Sequence, residues 1–159
     1  MPERLIDVPL ESLPFIDEHS VAIGAPAERV WSALMAYLTV AGRNRIGRLL
    51  ARRLHCVPAE ASGHTGRIGS TIPGFIIARS VPPAVLALMG EHRFAQYALV
   101  FRITEAVSGP TRLSAETRAV FPGGRGRAYR MLVIGTRGHA LAVRSILRSV
   151  RRGAERRSP

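Results

Sequence analysis

The order of patterns along this chain predicts an α+β fold in which a curved antiparallel β-sheet wraps around a long C-terminal α-helix. Residues 112–122 (RLSAETRAVFP) alternate as a half-buried strand does, and a Pro-Gly-Gly break then leads into one long helical stretch. Earlier alternating segments supply the rest of a sheet. A curved sheet closing on a helix leaves space between the two, so this order points to ligand binding before it points to chemistry.

Residues 15–23 (FIDEHSVAI) combine an apolar cluster with partial alternation and predict the first strand. Gly-Ala-Pro follows as a strand-to-helix junction, with Pro26 suited to a first helical turn. From Ala27 to Val40, Val30, Leu34, Tyr37 and Leu38 recur at helical spacing, and Glu28 sits where the helix dipole favours an anion. After Gly42 a second helix is predicted from Arg43 to about His55, with Ile46, Leu49, Leu50 and Leu54 on one side and Arg45, Arg48 and Arg52 opposite. Residues 58–74 are rich in Gly, Ser, Thr and Pro and predict loops with a short edge strand near 67–72.

PGFIIARSV and AVLALMGEHRF flank Pro82-Pro83 and predict a hairpin with a proline turn. QYALVFRIT then places Tyr97, Leu99, Phe101 and Ile103 on one face and Arg102 and Thr104 on the other. Beyond Ser108-Gly109-Pro110, the strand from Thr111 to Phe121 turns Leu113, Ala115, Thr117 and Ala119 one way and Arg112, Ser114, Glu116 and Arg118 the other. The small inward residues leave room. Arg102, Glu116 and Arg118 are expected to form a surface ladder.

Placed 100° apart as one helix, Tyr129, Leu132, Val133, Thr136, His139, Ala140, Val143, Leu147 and Val150 form the stripe facing the sheet. The cavity face is therefore expected to comprise Tyr97, Leu99, Phe101, Thr117, Tyr129, Thr136 and His139. On the far side of the helix Met131, Ile134, Gly138 and Leu141 form a second apolar stripe. Its expected cover is the N-terminal Leu5, Ile6, Val8, Leu10 and Leu13, or the same helix of a second subunit, which leaves monomer and homodimer as the two states.

A chain of 159 residues is about one domain, and 47% hydrophobic with 21% charged residues is the composition of a folded one. The expected domain runs over 15–153, between an N-terminal extension (1–14) and a basic tail (154–159). Net charge is +12 and all 23 basic residues are arginine, a bias that GC-rich coding accounts for without an anionic partner. Nucleic acid is therefore not the expected partner, although Arg144, Arg148, Arg151, Arg152, Arg156 and Arg157 cluster and allow weak contact with an anionic membrane. Cys56 is the only cysteine, so no intramolecular disulfide forms. With no basic-then-apolar leader and no run of about 20 apolar residues, the expected location is the cytoplasm.

Catalytic signatures are missing: there is no H-E-x-x-H, paired-cysteine, Walker or G-x-S-x-G pattern, and no metal or cofactor is implied. GGRGRAYR at 123–130 reads as a helix-entry turn rather than a phosphate loop. His92, Tyr129 and His139 are the residues available for acid/base work, and the facing of His92 is not fixed by alternation.

The stretch APAERVW at 25–31, the strand before it, two short helices, a multi-strand sheet containing GEHRF at 90–94 and a long terminal helix together resemble the START-like, or SRPBCC, superfamily over residues 15–153. Where many members carry an aromatic residue and a Pro-Gly turn, this chain has RNRIGRLLARRL. The resemblance implies a helix-grip fold with a hydrophobic cavity between sheet and terminal helix. It implies carriage of a small hydrophobic or amphipathic molecule, or alternatively a polyketide cyclase, aromatase or dehydratase activity. A third class, an Arg-rich protein acting on nucleic acid or an anionic membrane surface, follows from charge alone.

Overall fold

A computed structural model describes residues 5–133 and 137–156. The alternating segments form β1 (Phe15–Ile23), β2 (Thr71–Ile72), β3 (Phe75–Val81), β4 (Val85–His92), β5 (Ala95–Thr104) and β6 (Thr111–Val120). The segments with helical recurrence form α1 (Ala27–Arg43), α2 (Arg45–Arg53), α3 (Gly123–Val133) and α4 (Gly138–Glu155). All strand pairs are antiparallel, in the order β1-β6-β5-β4-β3-β2. The α1–α2 pair thus carries the chain from one edge of the sheet to the other, and the meander β2 to β6 brings it back beside β1. This is the expected α+β architecture, with a long C-terminal helix on the sheet.

Burial follows the periodicity that predicted each element. Val30, Leu34 and Leu38 of α1 and Val143, Leu147, Val150 and Ala154 of α4 are buried at helical spacing. They meet Leu86, Leu88, Leu99, Phe101 and Leu113 on one face of the sheet. Two bonds fasten the layers: the Gly24 N–H donates to Glu155 Oε1 at 3.1 Å, and Thr111 Oγ1 donates to the Ala25 carbonyl at 2.6 Å. The junction between β1 and α1 is thereby tied to the end of α4 and to β6.

The C-terminal third is not the single helix expected. α3 ends at Val133, and α4 starts at Gly138 behind Arg137, which is left-handed at φ 59°. A non-glycine residue in that region cannot continue a right-handed helix, so an angular count carried from Tyr129 to Val150 loses its phase. Val143, Leu147 and Val150 keep their expected side, but Tyr129 belongs to a separate helix. Thr136 and Ile134 lie outside the described residues. Met131 and Leu141 fall on different helices and stand 76% and 60% exposed, so the expected continuous stripe is divided.

The N-terminal segment also packs elsewhere than expected. Leu5 and Leu13 are buried against Ile76, Met89 and Ala98 on the second face of the sheet, not against the back of the helix. β3, β4 and β5 carry apolar residues on both faces there, and a sheet apolar on both faces must be covered on both. The expected ladder borders this layer: Arg102 Nη1 donates to Glu116 Oε2 at 2.6 Å, Arg118 Nε donates to Glu116 Oε1, and Arg118 Nη1 donates to the Leu13 carbonyl at 3.0 Å. It is not a free surface ladder, because Glu116 is only 8% exposed.

Candidate ligand cavity

Between α2, α3 and the inner face of β5 and β6 lies a mainly apolar cavity of about 340 Å³. This volume is in the range of ligand sites, about 300–1,000 Å³. α2 supplies Gly47, Leu50, Ala51 and Leu54, and Cys56 follows it. The turn into β3 adds Pro73, Gly74 and Phe75, while Phe121 and Tyr129 close the α3 side. A second space of about 210 Å³ adjoins it, sharing Gly47, Pro73, Phe75 and Leu99. The small side chains of Ala95, Thr117 and Ala119 on β5 and β6 leave this room, as the inward alternation of β6 indicates.

The polar groups gather at two places. At one, Tyr97 Oη donates to the Gly74 carbonyl at 2.8 Å and lies 3.9 Å from Cys56 Sγ. Glycine at position 90 makes this possible: a Cβ there would stand 2.7 Å from the Tyr97 ring and 2.0 Å from the Gly74 carbonyl. Gly74 itself turns at φ +85°, a conformation that favours glycine. The His92 ring packs against Tyr97 (5.3 Å between centroids) and edge-on to Tyr129 (4.9 Å), and Tyr129 stacks on Phe94 at 5.2 Å. The Phe94 N–H donates to His92 Nδ1 at 3.1 Å, which places the proton of the neutral ring on Nε2.

At the other place His139, on the first turn of α4, meets Thr117 with Nε2 2.8 Å from Oγ1. Asp17 Oδ1 of β1 is 3.6 Å from the same nitrogen, while Oδ2 is 3.2 Å from His19 Nε2. A groove lined by Asp17, His19, Arg137, His139 and Arg144 opens behind His139. His139 is therefore the side chain shared between the apolar cavity and this groove, whose lining mixes those charged groups with Ala140 and Leu141.

Burial sets the charge state of the cavity. It raises the pKa of Cys56, whose bond with Tyr97 partly offsets the rise, and it raises the pKa values of Tyr97 and Tyr129. It lowers those of His92 and His139, and Asp17 only partly opposes the shift of His139. Each displacement favours the uncharged form. At neutral pH the cavity presents hydroxyl, thiol and neutral imidazole groups on apolar walls.

Of the expected cavity residues, Tyr97, Leu99, Thr117, Tyr129 and His139 line the larger space, Phe101 lines the smaller one, and Thr136 lies outside the described residues. The strands place Tyr97, Leu99, Phe101 and Thr117 by simple alternation. Sequence reasoning did not find Cys56, the α2 residues or the approach of Asp17 to His139. The recurrence of Leu50 and Leu54 signalled only that α2 had an apolar side, and the Asp17 contact joins residues too far apart in sequence for any local pattern. Among the described residues, no group of three His, Cys, Asp or Glu side chains is placed to hold a metal ion. No helix among them is long and apolar enough to cross a membrane.

No family model and no curated protein matches this sequence. The fold does match solved structures. Protein CV1439 from Chromobacterium violaceum superposes with a TM-score of 0.57 at 14% identity, covering 89% of this chain and 98% of its own. Protein MLL2253 from Mesorhizobium loti gives 0.55 at 13% identity, covering 90% and 98%. The Aha1 dimer from Colwellia psychrerythraea gives 0.52 at 15% identity, covering 86% and 96%. At such identities the likeness is one of fold, and function rests on the site.

Proposed function

We propose that this chain is a helix-grip protein of the START-like, or SRPBCC, kind that binds a small hydrophobic or amphipathic molecule between α2, α3 and the sheet. The observation that carries the reading is the joint character of the cavity: apolar walls around side chains all displaced toward their neutral forms. A charged group gains nothing from such walls and loses its hydration, whereas a hydroxyl or carbonyl finds Tyr97, Tyr129 and His139 as partners. The neutral probe N-phenylnaphthylamine is expected to brighten on binding, and Ala119→Phe, which fills the space, is expected to abolish this with the melting temperature preserved. Unchanged uptake in the folded variant sinks the reading. Native mass spectrometry of freshly purified protein then identifies the molecule that copurifies.

A second reading, cyclisation or dehydration of a polyketide-like molecule, draws on the approach of Asp17 to His139. A carboxylate beside an imidazole at the end of an apolar cavity can support proton transfer. If turnover occurs, His139→Gln removes it, while uptake of the neutral probe stays within a few-fold of the unaltered chain. Turnover that survives this change excludes His139 as the base.

A further inference from the structure

Helix α2 is apolar on one side, yet only Ala51 in it is buried. Ile46, Leu49 and Leu50, spaced i, i+3 and i+4, form a ridge that is 69%, 63% and 55% exposed. Single exposed apolar residues are ordinary, but three together on one turn mark an interaction surface. Arg45, Arg48 and Arg52 flank the ridge around a shallow depression that includes Leu49. α2 contains no carboxylate, and Glu60 pairs with Arg52 alone among these arginines. The same helix roofs the apolar cavity through Gly47, Leu50, Ala51 and Leu54.

We propose that α2 is an interfacial helix that seats on an anionic lipid bilayer, with the Ile46–Leu49–Leu50 ridge among the acyl chains and Arg45, Arg48 and Arg52 at the phosphates. An aliphatic ridge with a cationic flank is the composition that a bilayer interface stabilises, and each arginine near an anionic surface strengthens the attachment. Charge selects this occupant over a second copy, because a two-fold contact through α2 sets these arginines against their own duplicates. Nucleic acid uses arginine but not an exposed aliphatic ridge, and α2 has no aromatic residue on which a base can stack. Seating α2 brings the roof of the cavity onto the membrane. The docking does not depend on the ligand-binding reading, since Ile46, Leu49 and the three arginines lie outside the cavity lining and only Leu50 belongs to both.

Co-sedimentation with vesicles at physiological salt tests the proposal. The chain is expected to sediment with equal parts phosphatidylcholine and phosphatidylglycerol and not with phosphatidylcholine alone. Ile46→Ser with Leu49→Ser is expected to weaken binding at least about tenfold, from the apolar area no longer inserted. Arg45→Gln with Arg48→Gln is expected to weaken it by about tenfold or more, whereas the charge-matched pair Arg148→Gln with Arg152→Gln on α4 leaves it within about twofold. All six residues are exposed, so the variants retain the fold, which their melting temperatures verify. Absence of binding to the anionic vesicles overturns the proposal, as does a serine variant that binds like the unaltered chain. An equal loss from the α4 pair reduces the attraction to bulk charge and also overturns it. A doubled mass by light scattering that the serine changes abolish assigns the ridge to a second copy instead.

Discussion

Cys56, His92, Tyr97, Tyr129 and His139 line one apolar space, and burial moves each toward its uncharged form. For the two histidines this ties stability to pH. Their folded pKa values lie below the ordinary imidazole value of about 6.5, so between the two the unfolded chain binds more protons than the folded one. The contribution is complete above about pH 6.5 and is lost as pH falls toward the folded values. The melting temperature is therefore expected to fall from about pH 7.5 to pH 5, and His92→Gln with His139→Gln is expected to flatten that fall. An unaltered slope in the double variant contradicts the assignment. Glu116 acts in a separate window. Burial pushes its pKa up, but the bonds from Arg118 and Arg102 outweigh this and hold it below the usual carboxylate value, so its contribution is lost only at lower pH.

Among the elements, the N-terminal segment is as much a part of the core as the strands it covers. Leu5 and Leu13 are each 2% exposed, and their removal uncovers Ile76, Met89 and Ala98. Leu5→Ala and Leu13→Ala are each expected to destabilise by about 2–4 kcal/mol in chemical denaturation. A loss below about 0.5 kcal/mol, the scale of surface changes, contradicts that packing. The elements themselves were legible because each carries its own period: Val30, Leu34 and Leu38 mark α1, and Tyr97, Leu99 and Phe101 mark β5. The Arg102–Glu116–Arg118 contacts were legible for the same reason, since strand alternation fixes facing. What covers a face is not written in the period of that face. The N-terminal leucines have no repeat that distinguishes the outer sheet from the back of a helix, and only the apolar residues on both sides of β3 to β5 decide between them. The break at Arg137 was equally hidden. Residues on either side of it keep helical recurrence, while one left-handed residue changes the phase without changing the composition. Cavity residues on strands were therefore readable from alternation, whereas Tyr129 and His139 line the cavity from two separate helices and not from the single stripe that named them.

Over the whole molecule the net charge of +12 is carried by arginines spread along α2, α3 and α4, with α4 presenting exposed Arg144, Arg148, Arg151 and Arg152. Arg151 is partly neutralised within its own helix, where Nε donates to Glu155 Oε1 at 3.0 Å and to Oε2 at 3.1 Å. No aromatic residue lies in α4, so this surface offers polyanions charge without a stacking platform. Attraction of that kind arises from counterion release and weakens steeply as salt rises. Any association with single- or double-stranded nucleic acid is accordingly expected to lose about a thousandfold in affinity between about 50 and 200 mM salt, without preference for sequence, as read by fluorescence anisotropy. Attachment of α2 to anionic vesicles is expected to fall less over the same range, because insertion of Ile46, Leu49 and Leu50 does not depend on counterions. The difference between the two salt dependences separates a basic surface from a docking surface. A sequence-selective nucleic-acid complex that survives physiological salt would falsify this division and make the arginines of α4 a recognition element.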